Sequence, residues 1–337
     1  MNPPGDARAR PSDPGAVRLP ETAAVLAVRH AVRDWLARHR PSEPVAVALS
    51  GGADSLALTA ATVVEAPAVD ALIIDHGLQP DSAEVAAEAS AAALRLGCRS
   101  ARVRRVTVTG PGGPEAAARQ ARYRALDELR DGLPVLIAHT LDDQAETVLL
   151  GLARGSGQRS LQGMAAFDDP WGRPLLGIRR ETTRQLCRDL GLRAHEDPHN
   201  SAPEFTRVRL RTEVLPLLED VLGGGVASAL ARTAAQLRAD GEVLDSIADE
   251  LLSRARDGSA VSVEILATAP GAIRRRALRS WLLEGGAKAL TDKHLRAVET
   301  LITDWRGQGG VAVGGGMPGT RLVARREHGR LTLAFAR

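Results

Sequence analysis

Lysine is almost missing from this chain. Lys288 and Lys293 are the only two in 337 residues, so nearly every positive charge is an arginine. Aromatic residues make up 2%, and Tyr123 is the single tyrosine, which argues against a stacking platform for single-stranded nucleic acid. The two cysteines, Cys98 and Cys187, are 89 residues apart. They form no CxxC pair and support neither a disulfide framework nor a zinc site. No apolar run reaches the roughly 18 residues a membrane span needs. The opening stretch MNPPGDARARPSDPG has no apolar signal-peptide core and reads, over residues 1–20, as a disordered tail. These absences predict a cytoplasmic protein with no membrane partner.

The rest of the composition is that of an ordinary globular chain, with 44% hydrophobic and 25% charged residues. Its length allows two domains. The formal charge of +3 is unevenly placed. Residues 1–215 carry 27 basic and 27 acidic side chains, so the excess lies wholly in 216–337. That is a hint, though a slight one, of a polyanion bound by the C-terminal third.

Residues 21–39 have helical spacing, with Val25, Val28, Val32 and Trp35 near one face. Then strand-like runs (44–50, 69–75, 102–108, 133–139) alternate with alanine-rich helical stretches (54–66, 81–97, 115–130, 141–153). Runs 44–50, 69–75 and 133–139 are nearly continuously apolar, as strands covered on both faces are. Such alternation predicts an α/β fold, a doubly wound parallel sheet with right-handed crossovers. Ligands of these sheets sit beyond the carboxyl ends of the strands. SGGADS (50–55), DHGLQP (75–80) and HTLDDQAE (139–146) all fall at such ends. A helix is expected at 180–190, a domain boundary near 216, and a mainly helical stretch over 224–305. The glycine-rich end, with short β-like runs, suggests a small hairpin region.

A strand ending in SGGADS and opening a helix offers backbone N–H groups and a helix N-terminus, together an anion site. Gly51 and Gly52 allow close approach of phosphate oxygens. Ser55 can donate to one. Asp54 is odd beside a polyphosphate unless it holds a divalent cation such as Mg2+ or caps the helix. A plain structural turn would explain neither the strand–loop–helix context nor the polar cluster. In HTLDDQAET, helical spacing makes Glu146 a surface neighbour of both Asp142 and Asp143. Thr140 could cap that helix, and acids in a first turn suit its dipole. A divalent-metal cluster is a further reading of the same carboxylates.

SGGADS matches the SGGxDS signature of the PP-loop ATP pyrophosphatase superfamily at every defined position, so the chain resembles that superfamily. The loop lacks the γ-directed lysine of a Walker-type loop, which suits attack at the α-phosphate. AHTLDDQAET closely resembles the HxxDDQxET motif of the tRNA-isoleucine lysidine synthetases, the TilS/MesJ family. Other segments agree in order. EAAARQARYRAL (115–126) is similar to the family's arginine-bearing helix, RGSGQRSLQGM (154–164) to its RGxGxxGLxGM loop, and RPLL (173–176) follows. EDPHN…FTRVRLRTEVLPLLE resembles DxSN…RNxIRxxxxPxL. Ser160 stands where Gly is usual, His199 where Ser is, and Val208 where Asn is. The resemblance covers roughly 44–219, and the second C-terminal domain of longer members is not expected.

The resemblance implies a PP-loop ATP-binding catalytic domain of the adenine nucleotide alpha hydrolase-like kind over 21–215. It also implies a smaller, mainly helical tRNA-binding domain with short terminal strands over 216–337. The reaction implied uses ATP and Mg2+ on an isoleucine tRNA with a CAU anticodon. ATP adenylates the C2 oxygen of the wobble cytidine, pyrophosphate leaves, and free L-lysine displaces AMP to give lysidine.

ATP binding then falls to Ser50, Gly51, Gly52, Ala53, Asp54 and Ser55, with Asp54 toward magnesium, and adenosine contacts to Asp75 and His76. Arg119 would balance charge at the α-phosphate. Catalysis would use Arg119, His139, Asp143 and Glu146, and the lysine ammonium would pair with Asp143 and Glu146. Arg207, Arg209 and Arg211 spread over about 200° of a helix, so only some, Arg207 and Arg211 foremost, can follow one phosphate track. Arg274 and Arg275, with Arg276 and Arg279, are the tRNA candidates in the C-terminal third. A homodimer is left open. Rival readings are a PP-loop tRNA thiolase or amidating ligase, a non-catalytic nucleotide-binding RNA module, and a magnesium-dependent hydrolase built on His139, Asp142, Asp143 and Glu146.

Overall fold

The computed structural model describes residues 19–77, 79–108, 114–155, 157–196, 205–316 and 320–336. The expected tail up to residue 18, and His199, lie outside them. The chain divides into two compact units. One takes the described residues up to Thr147 together with Met164–Ala231, and the other takes Val148–Gly163 with the chain from Arg232 onward. The boundary expected near 216 therefore falls inside the first unit.

In the first unit, α1 (Ala23–His39) starts where the Thr22 hydroxyl accepts from the Val25 amide at 3.3 Å, and it buries Val25, Val28, Val32 and Trp35. There follow β1 (Val45–Ala48), α2 (Ala53–Glu65), β2 (Val69–Asp75), α3 (Ser82–Leu96), β3 (Ser100–Arg105), α4 (Pro114–Leu129), β4 (Val135–Leu136) and, up to Thr147, α5 (Leu141–Arg154). Helix α2 is buried continuously from Ser55 to Thr62. Its alanines let it lie close on the sheet, and Thr59 and Thr62 return their hydroxyls to Ser55 and Leu58 carbonyls on their own helix. A helix that is apolar all round belongs in a core.

The sheet runs β3-β2-β1-β4-β6-β5, where β5 is Phe167–Asp168 and β6 is Trp171–Gly172. All pairings are parallel except β5 with β6. The doubly wound reading holds, with an antiparallel edge whose two-residue strands are too short to show in the residue pattern. Strand order reverses between β1 and β4, so the loops leaving those two strands splay apart and open a crevice. Gly172 is packed where no side chain fits. A Cβ there would lie 2.4 Å from Trp35 Cζ2 and 2.6 Å from Leu136 Cδ2. Gly172→Ala is therefore expected to cost about 1–3 kcal/mol through overpacking, read as a lower denaturation midpoint with unchanged slope.

The first unit ends with α7 (Arg180–Asp189), α8 (Thr206–Arg209), one π turn (Leu210–Val214) and α9 (Leu215–Val221). Pro216 lacks the N–H that an α-helical bond to Thr212 would need, which accounts for the widened turn before it.

The second unit includes α6 (Gln158–Leu161), most of α10 (Val226–Ala255), and α11 (Val263–Ala267), α12 (Gly271–Glu284) and α13 (Asp292–Thr303). Its sheet is five-stranded and antiparallel, β7-β8-β11-β10-β9. Here β7 is Arg256–Asp257, β8 Ala260–Ser262, β9 Val311–Val313, β10 Arg321–Glu327 and β11 Arg330–Ala336. The expected hairpin is β10–β11, turned by His328 and Gly329 at φ +47° and +77°, the primed geometry that matches strand twist. Strands β7 and β8 interrupt a stretch that reads as helical. A core of Leu251, Leu266, Leu278, Trp281, Leu282 and Leu301 holds sheet and helices together.

Candidate active site

The crevice at the β1–β4 reversal is an open cleft of about 1070 Å³. Its floor is the SGGADS loop. Gly51 takes φ +83°, a conformation that favours glycine, and its carbonyl accepts from the His195 amide at 3.0 Å. Ser50 Oγ and Ser55 Oγ lie 3.1 Å apart, and Ser55 Oγ donates to the Gly52 carbonyl at 2.9 Å. No side chain caps the N-terminus of α2. Its first N–H groups stay open at the positive end of the helix dipole, as an anion cradle requires. Ser50, Gly52, Ala53, Asp54 and Ser55 line the cleft, and Asp75 and His76 line it at the end of β2.

Chain leaving β4 turns at His139 and Thr140 into α5. The Thr140 amide and hydroxyl each donate to Asp143 Oδ2 at 2.8 Å, so Asp143 is held at the mouth of its own helix. Burial works to raise the Asp143 pKa, but Arg180, Thr140 and His139 outweigh it and hold the carboxyl below the usual range. Glu146, one turn on, is wholly buried. Asp142 faces away and accepts from the Arg180 amide at 2.7 Å and from Arg179 at 3.0 Å.

Arg180, at the first position of α7, gathers these acids. Its Nη2 donates to Asp143 at 2.6 Å, Nη1 to Glu146 at 3.5 Å, and Nε to Asp54 at 3.4 Å. Thr183, one turn later, donates to the other oxygen of Asp54 in a short hydrogen bond. Burial pushes the Asp54 carboxyl up, against the pull of Thr183 and Arg180. Sequence reasoning missed Arg180. The available signal was electrostatic, since an arginine opening a helix opposes the dipole unless acids meet it.

His139 lines the cleft with a buried Nδ1 that has no hydrogen-bond partner among the described residues. Burial, reinforced by Arg122, Arg173 and Arg119 and opposed by Asp143, pushes it down to about 3 from an ordinary 6.5. The imidazole is therefore neutral at physiological pH. Between those two values the unfolded chain takes a proton that the folded protein does not. This part of the stability is fully present above pH 6.5 and is lost as pH falls toward 3. The expected slope is up to about 1.4 kcal/mol per pH unit, and unfolding measured from pH 6.5 to 4.5 should flatten by that amount in His139→Gln.

The arginines fall differently from expectation. Arg119 is exposed and lies over the Tyr123 ring at 5.0 Å, while Arg122, one turn further, lines the cleft. Arg207 and Arg211, four apart, both reach Glu146, Arg211 at 2.9 Å and Arg207 at 3.8 Å. Arg209 leaves on the opposite face to Glu213 at 2.8 Å. In the second unit Arg274 and Arg275 converge on Glu299 at 3.0 and 2.9 Å, and Arg276 meets Asp245 at 2.6 Å. Arg274 and Arg275, read from the sequence as tRNA contacts, thus share one carboxylate. Cys98 and Cys187 are buried, their thiols pushed up to about 12 and about 11, so neither supplies much thiolate at neutral pH.

Among the described residues no three His, Cys, Asp or Glu side chains converge as a metal cage would. Asp54, the second residue of α2, stands beside the anion cradle. A carboxylate next to a phosphate site suits magnesium carried on a polyphosphate.

A PP-loop domain family model matches residues 24–218, and a TilS substrate binding domain model matches 262–332. A curated tRNA(Ile)-lysidine synthase from Nocardia farcinica is 71% identical over 91% of this chain and 97% of its own length. One from Rhodococcus erythropolis is 68% identical over 94% and 98%. This chain belongs to the tRNA(Ile)-lysidine synthase family. It is an enzyme of ligase type with an ATP-binding PP-loop domain. Among solved structures, the U34-tRNA thiolase NcsA from Methanococcus maripaludis with its [4Fe-4S] cluster aligns at TM-score 0.51 and 20% identity, over 64% of this chain and 79% of that one. At that identity the likeness is one of fold.

Proposed function

We propose that this enzyme joins free L-lysine to C2 of the wobble cytidine in a CAU-anticodon isoleucine tRNA, using ATP, in the cytoplasm. The observation that carries the reading is the meeting of an uncapped, glycine-floored anion cradle with the Asp143 carboxylate in one cleft, with Glu146 buried one turn behind it. One end suits a polyphosphate and the other an ammonium group.

In the first step the cytidine C2 oxygen attacks the α-phosphorus, and the bond to pyrophosphate breaks. Ser50 to Ser55 hold the leaving pyrophosphate through backbone N–H groups and hydroxyls. Magnesium, held by Asp54 and the nucleotide, would offset phosphate charge. Arg122, already in the cleft, is the better placed of the two α4 arginines to face the α-phosphate, and Arg119 needs to leave Tyr123 to join it. In the second step lysine arrives as an ammonium paired with Asp143 and Glu146 and gives a proton to this pair. The neutral amine then attacks C2, and the C2–O bond breaks with its electrons going to AMP. The depressed Asp143 pKa suits the binding half of this task, because the carboxylate is charged at neutral pH, where the amine is protonated. His139, neutral and with Nδ1 open, can accept a hydrogen bond from the base or the amine without adding charge. Arg211, on the cleft wall, and Arg207 behind it would contact the tRNA, with Arg274 and Arg275 serving the second unit.

The thiolase reading loses support because both thiols are buried with raised pKa values. The test is to omit lysine. Label from α-32P-ATP should move onto the tRNA with release of pyrophosphate, and adding lysine should chase it off as AMP. Release of inorganic phosphate, or label that lysine does not displace, would refute the reading.

A further inference from the structure

Arg180 lies between the two halves of the cleft and is 13% exposed. On one side its Nε meets Asp54, the second residue of the helix that the phosphate cradle opens. On the other side its two terminal nitrogens meet Asp143 and Glu146 at 2.6 and 3.5 Å. Arg211 takes Glu146 from a third direction at 2.9 Å and comes within 3.5 Å of Asp143. The carboxylate pair is already matched by guanidinium groups. An ammonium substrate would enter a site whose charge is spent, and it would have to evict a cation to bind.

The remaining geometry says which cation can move, and where. Arg211 donates through both Nε and Nη2 to Glu146, at 2.9 and 3.3 Å, a two-point grip of the kind that fixes a guanidinium. Arg180 makes single contacts to three different acids, and those to Asp54 and Glu146 are long, at 3.4 and 3.5 Å. Its Asp54 edge points at the cradle. A bound polyphosphate would put several negative charges there, against one on each carboxylate. A guanidinium also pairs bidentately with phosphate oxygens as readily as with carboxylates.

We propose that Arg180 is a positioning residue that holds the place of the substrate ammonium until ATP binds, and then transfers its guanidinium from Asp143 and Glu146 to the polyphosphate. The transfer loosens the pair and leaves Asp143, the member that lines the cleft, open to lysine when the nucleotide is in place, while Arg211 stays on Glu146. ATP and lysine are thereby coupled, each tightening the other by the same factor, and the amine is kept out of an enzyme that holds no ATP. This inference rests on lysine as the substrate proposed above.

The test uses the whole enzyme, the non-hydrolysable analogue α,β-methylene-ATP, and calorimetric affinities for the analogue and for L-lysine in wild type, Arg180→Gln and Arg180→Lys. Wild type should bind lysine about tenfold tighter with the analogue than without it. In Arg180→Gln the two affinities should move in opposite directions. The analogue should bind about tenfold more weakly, and nucleotide-free lysine should bind tighter, with coupling reduced to within about twofold. Arg180→Lys keeps the charge and should keep both nucleotide affinity and coupling within about threefold of wild type, which also serves if the glutamine variant folds poorly. An arginine that merely supports the fold would weaken both ligands together in Arg180→Gln. That result, or unchanged coupling, overturns the proposal. If wild type bound no lysine even with the analogue, the substrate reading would fail. The placeholder would then be decided by the analogue alone, standing on the tenfold loss in Arg180→Gln and falling if that affinity is unchanged.

Discussion

Replacing Asp143 with asparagine is expected to lower lysine incorporation into tRNA by about 10²–10⁴-fold, the range for loss of a positioned proton acceptor, while transfer of AMP to the RNA stays within about threefold. Asparagine has nearly the same shape and can still accept from the Thr140 amide and hydroxyl, which now bond Asp143 Oδ2 at 2.8 Å. What it loses is the charge that draws the ammonium and the oxygen that takes its proton. Asp143 is not part of the SGGADS cradle, so the pyrophosphate-releasing step has no direct need of it. Rapid-quench measurement of labelled AMP on the tRNA, alongside kcat/KM for lysine, separates the two steps. An equal fall in both would mean that Asp143 serves the nucleotide instead.

The second large effect is on stability. Glu146 has no exposed side-chain surface, and three arginines, Arg180, Arg207 and Arg211, come within 4 Å of it. Removing one partner of a buried ionic cluster leaves uncompensated charge, at a cost of about 3–5 kcal/mol. Glu146→Ala should therefore unfold at much lower denaturant, whereas Asp143→Asn should lose far less, because its hydrogen bonds to Thr140 survive. Urea unfolding of the two variants side by side checks this. A Glu146→Ala protein of wild-type stability would show that the cluster is held by its surroundings and not by its charges.

Much of the first unit was legible because burial on both faces makes strands and helices simple to read. VDALIID is apolar enough to be taken as a strand at Val69–Asp75, and that is where it lies. SGGADS announced its own geometry, since few contexts other than an anion loop need two glycines between a strand and a helix. The site's acids were legible from i, i+3 spacing within one helix. Arg180 was not, because its partners are 34 and 37 residues away in Glu146 and Asp143, and 126 away in Asp54. Only folding brings α2, α5 and α7 together. Its neighbour Arg179, turned to Asp142 instead, makes the pair look like solvated charge. The partner of Arg274 and Arg275 was hidden for a related reason, since Glu299 comes from another helix. Strands β7 and β8 were hidden by their length, two and three residues, too short for a period of two to declare itself.

The central claim is that one cleft joins ATP at the glycine cradle to an amine at Asp143, backed by Glu146, and does so on tRNA. The most direct measurement is incorporation of radiolabelled L-lysine into a CAU-anticodon isoleucine tRNA transcript with ATP and magnesium, followed by nucleoside digestion. The account predicts one lysine per tRNA, on the wobble cytidine, with one AMP and one pyrophosphate formed. ATP cleavage to AMP and pyrophosphate on that RNA with no lysine in the nucleoside would contradict it.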